Sequence, residues 1–431
     1  MFDFAKRKIG ANQLTSMMKG IAALAPTLLL TLILTSCMSD DYTDTAAGKS
    51  DTYINLNVST PTAQARANAP AKPAGTGGKL GLEETYPSPD SEEKITSIRV
   101  WAFKSDTDRA TATPIGFKSE TNLSAQGSHK VSMMITRKNA ENLDKIDLYI
   151  LLNAESEGVL DGKDCIKMTR ADLENLVIKN QFGITADSTA QTTVVPQAGL
   201  PISRVIQDLD VTNNIKDNAT DAALHSINIP LIRAVSKLHF FFTRKKVNDK
   251  DKDTEGVVVT RIEVNENVIP TQSSVFPTAT TDAKKETEGL TGDLTSLSYL
   301  SRKIKFGSVA TENIRPVSDP TSYIRKPGQT AEAYITQLRG VTTECHLSYL
   351  RETDKELTGT IYYKLNKSGA VKQTPFSISK AYRNHEMVVY GYFLGNGDKE
   401  STLTLNYYVA DWNEKKATDI VFDGTIRGIK I

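Results

Sequence analysis

Apolar and polar residues alternate with a period of two along most of this chain, and that pattern narrows its folds more than any other feature. In Tyr53–Thr60 (YINLNVST) it sets Ile54, Leu56 and Val58 on one face. In Ile95–Phe103 (ITSIRVWAF) it sets Ile98, Val100 and Ala102 on one face and Arg99, Trp101 and Phe103 on the other. The same habit marks Ile146–Leu152, Gln191–Val195, Ile227–Phe242, Gly256–Val264, Thr358–Leu365, Glu386–Leu394 and Ser401–Val409. These segments are rich in Val, Ile, Tyr and Thr and end at turn-formers such as Asn396-Gly397-Asp398. Successive strand side chains point to opposite sheet faces, so this period predicts strands. Short helices are expected only at Thr169–Ile178, where Leu173 and Leu176 are three apart, and around Thr281–Leu290. The predicted class is all-β with minor helix, most naturally sandwiches built on strand pairs.

The chain has 431 residues, 39% of them hydrophobic and 24% charged. It therefore carries enough apolar surface for more than one core. A weak internal echo predicts two tandem sandwiches. YINLNV precedes a polar loop and then ITSIRVWAF, as IPLIRAVSKLHFFF precedes the loop Asn248–Gly256 and then VVVTRIEVNEN. The polar stretch Asp208–Asp221 is the expected linker, which places the cut near residue 222. Pro61–Glu83, full of Ala, Gly, Pro and Lys, has little to bury and is expected to be an exposed loop open to proteolysis.

The first 36 residues read as an address rather than as fold. Lys6, Arg7, Lys8 and Lys19 precede an apolar run from Ile21 to Leu34 that contains Pro26. At about 14 residues this run is short for a membrane-spanning helix. It ends in Leu34-Thr35-Ser36-Cys37, which resembles a bacterial lipobox: small residues fit the peptidase cleft and the Cys37 thiol accepts the lipid. The expected segments are a signal peptide over 1–36, an acidic lipidated tether over 37–52, an N-terminal sandwich over 53–222 and a C-terminal sandwich over 223–431. The tether carries Asp40, Asp41, Asp44 and Asp51, a cluster similar to the export signal of surface-displayed lipoproteins.

Charge and residue usage exclude several functions. The chain holds 52 basic and 51 acidic residues. Removing 1–36 takes away four basic residues and Asp3, leaving 48 against 50, or −2. Nothing here offers the basic excess that nucleic acid requires. The five histidines are scattered, and no Cys/His spacing suggests zinc. Cys165 and Cys345 could form one disulfide in an oxidising compartment or stay as two buried thiols. Asp249, Asp251 and Asp253 imitate a calcium loop, but Thr254 and Thr260 stand where the required Gly and Glu belong. His385-Glu386 lacks the second histidine of a zinc-protease motif, Val389 being in its place. Gly75–Lys79 fails as a phosphate loop, with Pro73 and Leu80 at two required positions. No cofactor site and no catalytic set can be assembled, so an enzyme is not expected. Trp101 and Trp412 are expected as core anchors.

Taken in order along the chain, these features resemble the fimbrillins, the lipoprotein subunits of protease-processed (type V) pili. The matching segments are the lipobox at Cys37, the loop AQAR-ANAP around Arg66, ITSIRVWAF, Leu148–Ala154 (LYILLNA) and Gly199–Val205 (GLPISRV). Ile232–Leu238 (IRAVSKL), Tyr382–His385 (YRNH) and Tyr407–Trp412 (YYVADW) complete the set. The resemblance implies two tandem transthyretin-like β-sandwiches and assembly by strand exchange. An Arg-specific extracellular protease would cut between Arg66 and Ala67, the first strand would leave, and another subunit's strand would fill the groove. It further implies lipoprotein processing and export machinery, an outer-membrane lipid anchor on the precursor, and other fimbrial subunits as partners in a cell-surface fimbrium that acts in adhesion.

The residues support that scheme on physical grounds. Releasing a strand with Ile54, Leu56 and Val58 facing inward uncovers about 5–9 kcal/mol of apolar burial, at roughly 1.5–3 kcal/mol per side chain. Unpaired strand edges add to the demand for a replacement. The candidate donor is Thr418–Ile431, where Ile420 alternates with Phe422, and Ile429 with Ile431, with Ile426 between the two pairs. Ile420–Phe422 could equally belong to the last strand of its own domain, while Ile426–Ile431 is favoured as the donor. Residues 37–66 hold four acidic residues and two basic ones (Lys49 and Arg66), so the cut subunit carries 46 of each sign and is neutral. The rival reading is a monomeric surface lipoprotein that captures glycan or host protein, or a pilus anchor or tip. The aromatic residues sit mostly inside strand segments such as Phe240–Phe242, rather than on loops as such a binder would need.

Overall fold

The computed structural model describes residues 52–59, 92–136, 139, 142–156, 158–178, 197–246, 256–276, 298–306, 314–366, 369–394 and 403–411. Strands of three or more residues are numbered in chain order. The first seven are β1 (Thr52–Ser59), β2 (Ile98–Lys104), β3 (Gly116–Glu120), β4 (Ser128–Ile135), β5 (Lys145–Leu152), β6 (Ile202–Asp210) and β7 (Ile227–Pro230). They make two sheets, β7-β1-β4 and a five-stranded sheet in which Ile232–Arg233 is followed by β6-β5-β2-β3. The two sheets enclose one aliphatic core. Ile54, Leu56, Val58, Val131, Met133 and Ile229 come from the first sheet, and Ile98, Val100, Leu148 and Ile150 from the second.

The remaining strands are β8 (Ser236–Lys245), β9 (Val258–Val264), β10 (Ile304–Phe306), β11 (Thr343–Leu350), β12 (Glu356–Lys364), β13 (Lys372–Lys380), β14 (His385–Phe393) and β15 (Leu403–Asp411). β8 lies between β11 and β14, with β15 outside β14, and a second sheet runs β10-β9-β12-β13. Leu238, Phe240, Phe242, Met387 and Val389 from the first sheet meet Ile262, Val264, Ile361 and Phe376 from the second. The described α-helices are short: α1 (Arg170–Glu174), α2 (Ala219–Leu224) and α3 (Ala331–Val341). The class is all-β with few helices, as the alternation predicts, and each half of the chain has its own sandwich core.

The outer faces of two sheets are also covered. On the five-stranded sheet, Trp101, Phe103 and Tyr149 pack under Leu160, Leu173, Val275, Phe276 and Tyr349. Trp101 is fully buried, and its Nε1 donates to the Cys165 carbonyl at 2.8 Å. On the sheet of β8, Phe241, Val388, Tyr390 and Tyr408 pack under Tyr334, Ile335 and Leu338 of α3. The Thr330 hydroxyl caps that helix by accepting from the Ala333 N–H.

Three expectations change. The cut near residue 222 falls too early, because β7 pairs with β1 and Ile232–Arg233 pairs with β6. The strand pairings divide the halves between Arg233 and Ser236. The single strand expected over Ile227–Phe242 is three pieces, interrupted after Pro230, which has no N–H to give a ladder, and again where the Ala234 N–H donates to the Pro201 carbonyl. The helix expected over Thr169–Ile178 is shorter: a Thr169–Asp172 capping box starts α1, and Val177–Ile178 then pairs with Ser273–Ser274. That last pairing ties the two halves together. Cys345 is a buried thiol, so no disulfide joins it to Cys165. The segments Gln191–Val195 and Thr281–Leu290 lie outside the described residues.

Candidate functional site

The candidate site is the slot that β1 fills. β1 runs antiparallel to β4, from Thr52 opposite Ile135 to Ser59 opposite Ser128, and parallel to β7, from Leu56 opposite Ile227 to Ser59 opposite Pro230. It is thus an interior strand with a neighbour on each edge. Ile54, Leu56 and Val58 are buried at 0%, 1% and 0% exposure, while Tyr53, Asn55 and Asn57 between them are partly exposed. The walls of the slot are Val131, Met133 and Ile135 of β4 and Ile229 of β7, with Ile98 and Val100 beneath. The inward-facing triplet of β1 is wholly aliphatic. Polar side-chain ties lie at its periphery: Thr52 Oγ1 donates to the Ile135 carbonyl at 2.9 Å, and Asn57 Nδ2 to Asn228 Oδ1 at 2.9 Å.

The three inward residues read from the sequence therefore share one buried face. Cys37, Arg66 and Ala67 lie outside the described residues, as do Ile420, Phe422, Ile426, Ile429, Ile431 and Trp412. The β4 wall of the slot was missed, although SHKVSMMI carries an alternating signal at Val131, Met133 and Ile135. Two methionines and a flanking His-Lys pair dilute its β character.

The segments that carry the family resemblance are structural joints. Asn153, at φ 58°, donates from Nδ2 to the Lys94 and Leu200 carbonyls and accepts at Oδ1 from the Thr96 N–H. Gly199 faces it at φ 85°, where an added Cβ would stand 2.5 Å from Asn153 Nδ2, so only glycine fits. Arg383 pairs with Glu352 at 3.0 Å, both fully buried, and donates to the Val275 and Ser274 carbonyls. The Asn384 N–H donates to the Val235 carbonyl at 2.8 Å.

A second buried cluster, also missed, lies where the halves meet. Lys237 Nζ is 2.7 Å from Glu92 and 3.3 Å from Glu386. The His239 ring nitrogens lie 2.7 Å from Glu344 and 2.7 Å from Glu386, and Arg339 Nε reaches Glu344 at 3.1 Å. Burial pushes the Glu386 carboxyl up, but the Lys237 charge and the His239 contact hold it well below the usual carboxylate range. Burial acts likewise on Glu344, and His239 and Arg339 overcome it to lower its pKa. His385 Nδ1 lies 2.9 Å from the Arg383 carbonyl, and among the described residues there is no group of three or more His, Cys, Asp or Glu that could hold a metal ion. No helix among the described residues is long and apolar enough to cross a membrane.

No family model matches the chain, and no curated protein matches it. Among solved structures it is similar to the tip fimbrial protein Mfa3 from Porphyromonas gingivalis, at 12% identity and a TM-score of 0.43, with 84% of this chain and 100% of that one covered. It is also similar to a fimbrilin from Porphyromonas gingivalis, at 11% identity and a TM-score of 0.42, covering 84% and 97%. A fimbrial assembly protein from Parabacteroides distasonis matches at 13% identity and a TM-score of 0.39, covering 85% and 98%.

Proposed function

We propose that this chain is a structural subunit of a bacterial surface fimbria, exported as a lipoprotein through Cys37 and cut between Arg66 and Ala67. The cut frees β1, and an extended strand from another subunit takes its place, with Ile420, Phe422, Ile426, Ile429 and Ile431 as candidate donor residues. The observation that carries this reading is β1 itself. It is an interior strand that contributes three buried aliphatic side chains, keeps its polar side-chain ties at the periphery, and lies just upstream of the loop Arg. A strand of that kind can be replaced by any other that offers two ladder edges and apolar residues at every second position. The role is one of assembly and adhesion, with no enzymatic step.

Limited trypsin digestion of the soluble form lacking Cys37, with N-terminal mapping and native electrophoresis, tests the proposal. A new N-terminus at Ala67 with a ladder of oligomers is expected, and Arg66→Ala should abolish both. Deleting Ile426–Ile431 should abolish the ladder alone. A chain that is cut but stays monomeric would instead favour a monomeric surface-binding lipoprotein.

A further inference from the structure

The geometry points to Glu92 as a latch that fastens the chain leaving the β1 segment to the C-terminal sandwich. It keeps the joint between the halves closed when the β1 slot changes occupancy. The latch stands on the geometry of the uncut chain; its use during processing rests on the function proposed above.

Glu92 belongs by sequence to the N-terminal half, ahead of β2, yet its carboxylate is received by the C-terminal half. Its Oε1 accepts from Lys237 Nζ at 2.7 Å and from the Tyr349 hydroxyl at 2.5 Å. Lys237 sits opposite Tyr349 on β11 and opposite Glu386 on β14, so the three side chains form one rung across three adjacent strands. Glu92 caps that rung with a side chain only 6% exposed. Around it lie the buried Arg233 guanidinium and, through Glu386, the His239–Glu344–Arg339 chain. Removing the Glu92 charge takes away the nearer carboxylate of the buried Lys237 ammonium, at 2.7 Å, and leaves it Glu386 at 3.3 Å, the costly way to break a buried pair.

The residues that follow are bolted to the N-terminal sandwich. The Lys94 carbonyl accepts from Asn153, the Thr96 N–H donates to Asn153, and Lys94–Ile95 pairs with Ala125–Gln126. Residues 92–97 are therefore held from both sides, between the slot of β1 upstream and β2 downstream.

The test uses the full, uncut chain and hydrogen exchange of peptides covering 233–239 and 271–276. Glu92→Gln keeps the shape and the acceptor but loses the charge, and should speed exchange of those peptides by about tenfold or more. Leu56→Ala alone should speed exchange in β1 and β4 and leave the joint peptides unchanged. The double variant should speed joint exchange beyond Glu92→Gln alone. Joint exchange within about twofold of the parent in Glu92→Gln would overturn the latch, as would Leu56→Ala alone opening the joint. If Glu92→Gln does not fold, Tyr349→Phe gives the same reading through the hydroxyl it removes. Because no variant is cut, failure here leaves the processing proposal to its own digestion test.

Discussion

β1 and β8 open the two sandwiches in the same way and are held in opposite ways. Each runs between one antiparallel and one parallel neighbour: β4 and β7 for β1, β11 and β14 for β8. β1 buries only alternate residues, whereas β8 is buried on both faces from Ser236 to Arg244. The inward side of β8 supplies Leu238, Phe240 and Phe242 to the core, as β1 supplies Ile54, Leu56 and Val58. Its other side carries Lys237 and His239 in the ionic cluster, Phe241 under α3, and Thr243 bonded to the Tyr390 hydroxyl at 2.6 Å. One topology thus serves two purposes. A strand with one buried aliphatic face can be exchanged for another of the same period, while a strand with two buried faces, one of them charged, is fixed.

The contrast fails first if the two strands cost the same to remove. A chain starting at Ala67 should lose about 5–9 kcal/mol from the N-terminal sandwich. A peptide of Thr52–Ser59 added in trans should restore its thermal midpoint, and the same peptide with Asn at positions 54, 56 and 58 should not. Phe240→Ala should cost about 3–5 kcal/mol and Leu56→Ala about 2–5 kcal/mol, read by denaturant melts. The Leu56→Ala loss should fall on the N-terminal sandwich and the Phe240→Ala loss on the C-terminal one.

Acid sharpens the same contrast. The carboxyls of Glu344 and Glu386 are held below their ordinary value, so their stabilisation is present above the unfolded carboxylate pKa of about 4.3 and is lost as pH falls through the lowered values. Exchange protection of β8 and β14 should therefore fall on acidification more than that of β1 and β4, whose contact is aliphatic. Glu386→Gln should flatten the dependence. Equal pH response in both sheets would contradict the assignment.

The sequence made the apolar half of this arrangement readable and hid the polar half. Alternation announced β1 and β2 directly, since a period of two has one structural meaning when one face is buried. Trp101 is buried as expected of a core anchor, but alternation could not show that it enters a second core together with Phe103, because that face of β2 is covered by chain from far away, including Phe276 and Tyr349. The echo pointed to two sandwiches but misplaced their division, since β7 returns to pair with β1 after the polar stretch that looked like a linker. The ionic rung was invisible for the same reason. Glu92, Lys237, Tyr349 and Glu386 are ordinary surface residue types until long-range pairing sets them side by side. Helix α3 went unread because its apolar face, Tyr334, Ile335 and Leu338, covers a sheet that is itself defined only in three dimensions.

The smallest expected effect tests the outer face of β1. Asn57 Nδ2 donates to Asn228 Oδ1 on β7, in an exposed setting and between residues directly opposite in register. Water can replace such a bond, so Asn57→Ala should cost no more than about 0.5–1.5 kcal/mol. The bond matters for a different reason. β7 is the parallel neighbour of β1, and a parallel pair is slightly weaker per residue than an antiparallel one. A cross-strand side-chain bond there adds to register on the edge that most needs it. Asn57→Ala should therefore speed amide exchange in β7 more than in β4, with the melt barely moved. If β4 loosens as much as β7, the bond is merely one surface contact among several, and the aliphatic face alone holds β1 in its slot.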